Sequence, residues 1–209
     1  MAQLQQAGTQ KQMLNEKWNE QILVVKRNKL FPDGVWQGVK QVDFDSYLHL
    51  INTHKEFIAR GPAETNFEYK QIIPYLVFMY QDTYFLMQRQ SKATEQRLAS
   101  KYSLGIGGHL RQEDLTNNDI FAWAQREFHE EVDFKGNLEI TPLGILNDDS
   151  NDVGKVHIGF VLLLKGDTDA IKVKSELAHG ALLTLNQCKA HYAGMETWTQ
   201  LVFNFLQSK

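Results

Sequence analysis

The chain has 209 residues, 22 Lys and Arg against 25 Asp and Glu, a formal net charge of −3 and a sequence pI near 6.2. This mildly acidic balance offers no basic footprint for nucleic acid, and a hydrophobic content of 43% is ordinary for a globular chain. The single cysteine, Cys188, cannot form an internal disulfide, which fits a reducing compartment.

The opening stretch MAQLQQAGTQKQMLNEKWNEQ lacks the apolar core of a secretory signal. The strongest apolar run, HIGFVLLL at 157–164, falls far short of the roughly 20 residues that span a bilayer. Both features point to a cytoplasmic protein that does not engage membranes. Residues 1–15 are polar and Gln-rich and read as a loose tail or frayed helix. QILVVKR (21–27) has strand composition, and LFPDGVWQG (30–38) carries a Pro-Asp-Gly turn signal. In DFDSYLHLINTHKEFIARGP, Tyr47, Leu50, Ile51, His54, Phe57 and Ile58 follow helical spacing. Asp45 or Ser46 is placed to cap this helix and Gly61-Pro62 to stop it. His54 falls on its apolar side and reads as a half-buried histidine. Trp36 and the 43–60 helix are candidates for a lid or a homodimer surface.

From residue 71 the pattern changes. QIIPYLVFMY and TYFLMQRQ read as two strands of a hairpin turning at Gln81-Asp82. The border therefore falls near residue 68, with an N-terminal strand-and-helix extension over 1–68 and the main domain over 69–209. SLGIGGHL (103–110) is a glycine-rich turn out of a short strand, and a helix is expected over roughly 117–132. EITPLGILN and KVHIGFVLLLK are strands flanking DDSNDVG. That loop lacks the closing Glu of a calcium loop and reads as a solvated turn. The closing ETWTQLVFNFLQ puts Trp198, Leu201, Val202, Phe205 and Leu206 on one helix face. This order favours an α/β fold in which helices sandwich a mixed sheet.

The helix over 117–132 carries three glutamates that read either as a solvated acidic face or as a cation site. Thr116 and Asp119 resemble a capping box. At about 100° per residue, Phe121, Ala124, Phe128 and Val132 share one stripe, and Glu127, Glu130 and Glu131 share the adjacent sector. Three like charges at this spacing repel. An oxygen-preferring divalent cation such as Mg2+ or Mn2+ would offset that repulsion, and the preceding glycines allow close backbone approach.

The stretch GGHLRQEDLTNNDIFAWAQREFHEEVDF resembles the signature of the Nudix hydrolases. Arg126, Glu127, Phe128, Glu130, Glu131 and Phe134 match its second half in order and spacing. The resemblance covers roughly residues 69–205 and implies an α/β/α sandwich with a mixed sheet. It also implies metal ligation by Glu127, Glu130, Glu131 and the Gly107 carbonyl, with Arg126 bracing the helix. Asn118 stands where the first signature glutamate would be, and Glu113 or Asp114 is close enough in sequence to replace it. Asp133 stands in place of the final glycine and tolerates the left-handed backbone better than most residues. The implied activity is Mg2+-dependent hydrolysis of a diphosphate linkage in a nucleoside diphosphate derivative or related phosphorylated small molecule. Glu176 and His109 are further candidates, for a late acid and a phosphate contact respectively. The alternative is a non-catalytic nucleotide-binding module. A diphosphate isomerase of the same fold ranks last, because Cys188 lies far downstream in an apparent helix.

Overall fold

The structure, a computed structural model, describes residues 16–89, 100–115, 119–174 and 177–209. The apolar run Ile22–Val25 forms strand β1 (Gln21–Lys26), followed by a short helix α1 (Arg27–Leu30). The expected Pro-Asp-Gly turn then closes, with Gly34 N donating to Phe31 O at 3.1 Å and Gly34 at φ +94. Strand β2 (Gly38–Lys40) precedes helix α2 (Phe44–His54). The cap of α2 is Asp43, whose carboxylate accepts from Ser46 N at 2.8 Å. Asp45 and Ser46, the expected caps, already lie inside the first turn.

This helix also ends earlier than its spacing predicts. Phe57 and Ile58 leave it for strand β3 (Lys55–Ala59), antiparallel to β1, with Leu23 opposite Phe57 and Ile22 opposite Ile58. Pairing with a buried strand overrides a local helical pattern. Gly61 and Pro62, expected as a stop, lie in the short helix α3 (Arg60–Ala63).

The hairpin forms as expected from β4 (Tyr69–Tyr80) and β5 (Thr83–Arg89), with Gln81 at φ +53 in the turn. Strands β6 (Tyr102–Ser103) and β7 (Gly105–Gly107) lead to helix α4 (Ile120–Glu131). Then come β8 (Val132–Phe134), β9 (Leu138–Asn147), helix α5 (Asp152–Val156), β10 (His157–Gly166), β11 (Ile171–Val173) and β12 (Leu177–Thr184). Helices α6 (Leu185–Cys188) and α7 (Thr197–Gln207) complete the chain. Among the described residues, ten strands form one mixed sheet, six along the path β12-β5-β4-β10-β9-β2 and β1, β3, β6 and β7 paired off it. The β4–β10 pair is parallel and its neighbours are antiparallel. Strand β1 pairs with β4 and β2 with β9, so residues before 69 add strands to the same sheet.

Alternation along β4 and β10 sets the layers. Ile72, Leu76, Phe78, Phe160, Leu162 and Leu164 pack with α2 and α4 on one face. Tyr75, Val77 and Val161 pack with Val202 and Leu206 of α7 on the other. This is the expected α/β/α sandwich. Phe44 of α2 touches both Phe121 of α4 and Phe160, at ring separations of 5.9 and 5.5 Å, which aligns the two helices side by side. Trp36 packs edge-on against Phe31 at 5.0 Å and donates its indole N–H to Ile145 O at 3.2 Å.

DDSNDVG is no solvated turn. Asp148 is fully buried, Asn151 caps α5, and Asp149 is ion-paired to Lys70 and Arg27. The sequence hides this because both counter-charges come from distant elements. Among the described residues, no helix is long and apolar enough to cross a membrane.

Candidate active site

Helix α4 begins at Ile120, three residues later than its spacing predicts. Asp119 is the cap, accepting from Phe121 N at 2.9 Å and Ala122 N at 3.1 Å. Thr116 and Asn118 lie outside the described residues, as does Glu176. Ala124, Phe128 and Val132 are buried as expected, and Phe121 is partly so; Ile120 and Trp123 are buried as well. Phe128 stacks on Phe78 with ring centroids 5.5 Å apart, which fixes the rotation of α4 against the sheet. That rotation sets Glu127 half-buried against the glycine turn and leaves Glu130 exposed.

The glycine at 108 leaves room for this approach. A Cβ there would lie 2.3 Å from Glu127 Oε1, well inside contact distance. The preceding Gly107 is held by antiparallel pairing with Tyr75 of β4. The helix carboxylate and the turn backbone therefore meet on a fixed frame. Burial, followed by the nearby Glu130, Glu131 and Asp114, pushes the Glu127 carboxyl up to about 7. A carboxylate in this state is short of positive charge.

Arg126 pairs with an acid of the turn before the helix, Asp114. Arg126 donates to Asp114 Oδ1 at 2.7 Å, and Arg111 donates to Asp114 Oδ2 at 2.9 Å and Oδ1 at 3.1 Å. The Asp114 carboxylate is only 6% exposed, whereas Glu113 is 68% exposed and lies 3.6 Å from Arg111. Burial raises Asp114, but the Arg111 hydrogen bonds and the charges of Arg111 and Arg126 outweigh it and hold the carboxyl below its usual range. A single 3₁₀ turn, Gln112–Leu115, brings Asp114 round to the helix. Sequence spacing alone cannot choose between adjacent acids in such a turn. Asp133 does not end the helix in a left-handed conformation; Val132 is already extended and Asp133 pairs with Lys172 in the β8–β11 ribbon.

On the other side of the glycine turn lies a pocket of about 310 Å³. Gly107, Gly108, His109, His157 and Glu64 line its wall, with Tyr75 and Trp198. His109 bonds Gln71 Oε1 through Nε2 at 2.7 Å, and burial, followed by Arg60 and His157, holds its pKa well below the usual imidazole value. Glu64 and His157 were not singled out by any sequence pattern; they reach this wall from separate segments. Cys188 is buried away from the pocket, and burial pushes its thiol up to about 11, which fits an inert core thiol.

A sandwich in which a glycine turn meets an acidic helix is the arrangement that the resemblance to the Nudix hydrolases implies. No family model matches the chain. It is 34% identical over 207 residues to protein YmaB of Bacillus subtilis (strain 168), an alignment covering 91% of this chain and 99% of YmaB. It superposes on the crystal structure of Tm1382, described as a candidate Nudix hydrolase, with a TM-score of 0.77 and 30% identity. That match covers 90% of this chain and 99% of Tm1382. The Nudix domain of Shewanella oneidensis NrtR, solved with ADP-ribose, shares the fold at a TM-score of 0.52 and 11% identity, over 66% of this chain and 87% of that one. The chain belongs to the Nudix hydrolase family.

Proposed function

We propose that this Nudix pyrophosphohydrolase cleaves a nucleoside diphosphate derivative or related small molecule with a divalent cation, Mg2+ or Mn2+, held on α4. Glu127, Glu130, Glu131 and the Gly107 carbonyl would hold it, an all-oxygen donor set of the kind hard cations take. The observation that carries this reading is the Glu127–Gly108 contact, where a side chain at 108 would close the space. The raised Glu127 pKa supports it, since a dication nearby would supply the missing positive charge. A bound cation supplies charge neutralisation and Lewis acidity at phosphoryl oxygens. The chain's own residues do the positioning. Phe128 and Trp123 lock the helix, and Asp114 pins Arg126, which lies 3.9 Å from Glu130 and so steers its carboxylate. One of the three glutamates then orients the attacking water toward the anhydride phosphorus.

The missing first glutamate lends weight to the non-catalytic reading, and the Asp114–Arg126 pair weighs against it. The test is product release from a panel of nucleoside diphosphate derivatives with Mg2+ and with excess EDTA. Turnover with Mg2+ and none with EDTA is expected. Undiminished turnover in EDTA, or measurable ligand binding without turnover on any compound, overturns the reading.

A further inference from the structure

We propose that Glu64, His109 and His157 form a second cation site, separate from α4, for one nitrogen- and oxygen-ligated divalent transition ion such as Zn2+. One ligand atom from each of the three lies within 4.8 Å of the others. They come from the residue after α3, the loop after β7 and the first residue of β10. The two rings lie 5.5 Å apart, edge to face.

The hydrogen bonds around the rings prepare them as ligands. His157 Nδ1 sits 2.7 Å from Val153 O, which can only accept, so Nδ1 carries the proton and Nε2 the lone pair. His109 Nε2 sits 2.7 Å from Gln71 Oε1, and donation to that oxygen puts the lone pair on Nδ1. An imidazole whose far nitrogen donates to a fixed oxygen is the usual arrangement of a metal-binding histidine. Both supports are rigid. Gln71 lies opposite His157 in the parallel β4–β10 register, and the His157 carbonyl accepts from Lys70 Nζ at 3.1 Å. Gln71 is fully buried, and its Nε2 has no partner among the described residues.

Two neutral imidazoles and one carboxylate suit Zn2+ or a neighbouring transition ion better than Mg2+, which favours oxygen alone. Three protein ligands leave coordination positions open, and the three residues line the pocket. Bonds of roughly 2.0–2.2 Å require the three atoms to draw closer. Glu64 can supply that movement by changing rotamer. It now pairs with Arg60 at 3.4 Å, and Arg60 keeps a second acid, Glu20, at 3.7 Å. The inference stands on these side chains and is independent of the hydrolysis reading.

Co2+ titration of the full chain, followed by visible absorption, tests it. Wild type and Glu131→Gln are both expected to bind one Co2+ with an imidazole-ligated band that Zn2+ displaces. Survival of the band in Glu131→Gln separates this site from α4. Glu64→Gln and His157→Gln are each expected to weaken that binding by about a hundredfold or more. Circular dichroism of the metal-free variants checks the fold. If His157→Gln does not fold, Glu64→Gln alone decides, because its side chain is only part-buried. Absence of the band in wild type, its persistence at full affinity in Glu64→Gln, or its loss in Glu131→Gln would each overturn the site.

Discussion

Two groups of charged side chains flank the pocket, and they are built in opposite ways. Around Asp149 every charge has its partners. Lys70 is fully buried, yet its ammonium meets Asp149 Oδ1 at 2.8 Å, Gly154 O at 2.7 Å and His157 O at 3.1 Å. Arg27 adds a two-pronged bond to the same carboxylate. Burial raises Asp149, but the bonds from Arg27 and Lys70 outweigh it and hold the carboxyl well below its usual range. Burial lowers Lys70 to about 8, with Asp149 opposing that. On α4 the acids outnumber their cations, and Glu127 is pushed up instead. A saturated cluster holds elements together, and in the proposed function the crowded one is the cluster that the cation would complete.

The largest effect tests the scaffold side. Asp149→Ala strands a buried ammonium and is expected to lower the unfolding free energy by about 3–5 kcal/mol. Urea melts measure it, and a loss below about 1 kcal/mol breaks the comparison. On the site side, Glu131→Gln is expected to cut Mg2+-supported turnover by about a hundredfold, roughly 2.7 kcal/mol in the barrier. Its metal-free stability stays level or rises by roughly 0.5–1 kcal/mol as repulsion is relieved. The Mg2+-induced rise in melting temperature shrinks with it. Unchanged turnover together with an unchanged Mg2+ shift would remove α4 from the site.

Asp114→Asn sharpens the boundary between the two kinds of cluster. It unpins Arg126 and is expected to lower turnover about tenfold and stability by roughly 1–2 kcal/mol. Asp114→Glu should restore much of the turnover, and Glu113→Gln should leave it near wild type in steady-state assays. The smallest effect is a pH slope. The folded Glu127 value is above its ordinary 4.5, so its linked stability is complete below about pH 4.5 and is lost as pH rises toward 7. Asp149 is lowered from 3.8, so its contribution is present above about pH 4 and is lost on further acidification. Metal-free Glu127→Gln should flatten the first slope and leave the second. Chelated melts across pH 3 to 8 would show this.

Much of the sandwich was legible because it follows period: alternation in β4 and β10, helical spacing in α4 and α7. The acidic trio was legible for the same reason, being three residues of one helix. Misreadings fell where a distant partner decides. Phe57 and Ile58 continue a helical stripe, but β1 claims them for a strand. DDSNDVG looks solvated until Lys70 and Arg27 arrive from other elements. Asp114 could not be told from Glu113, because only the turn's direction separates an acid 6% exposed from one 68% exposed. Glu64 and His157 carry no local signal and meet His109 only through the sheet.

The parallel β4–β10 pair has a kinetic consequence. Lys70 and the His157 carbonyl that it binds are 87 residues apart in the chain, and the pocket wall forms only when that loop closes. Strand β1 can meet β3 and β4 from nearby sequence much sooner. Contacts of long range form slowly because loop-closure entropy must be overcome first. Refolding should therefore pass through a stage in which the N-terminal strands are protected from hydrogen exchange while the Gln71–His157 register is still open. Catalytic competence would then return with the last amides to gain protection, those of β10.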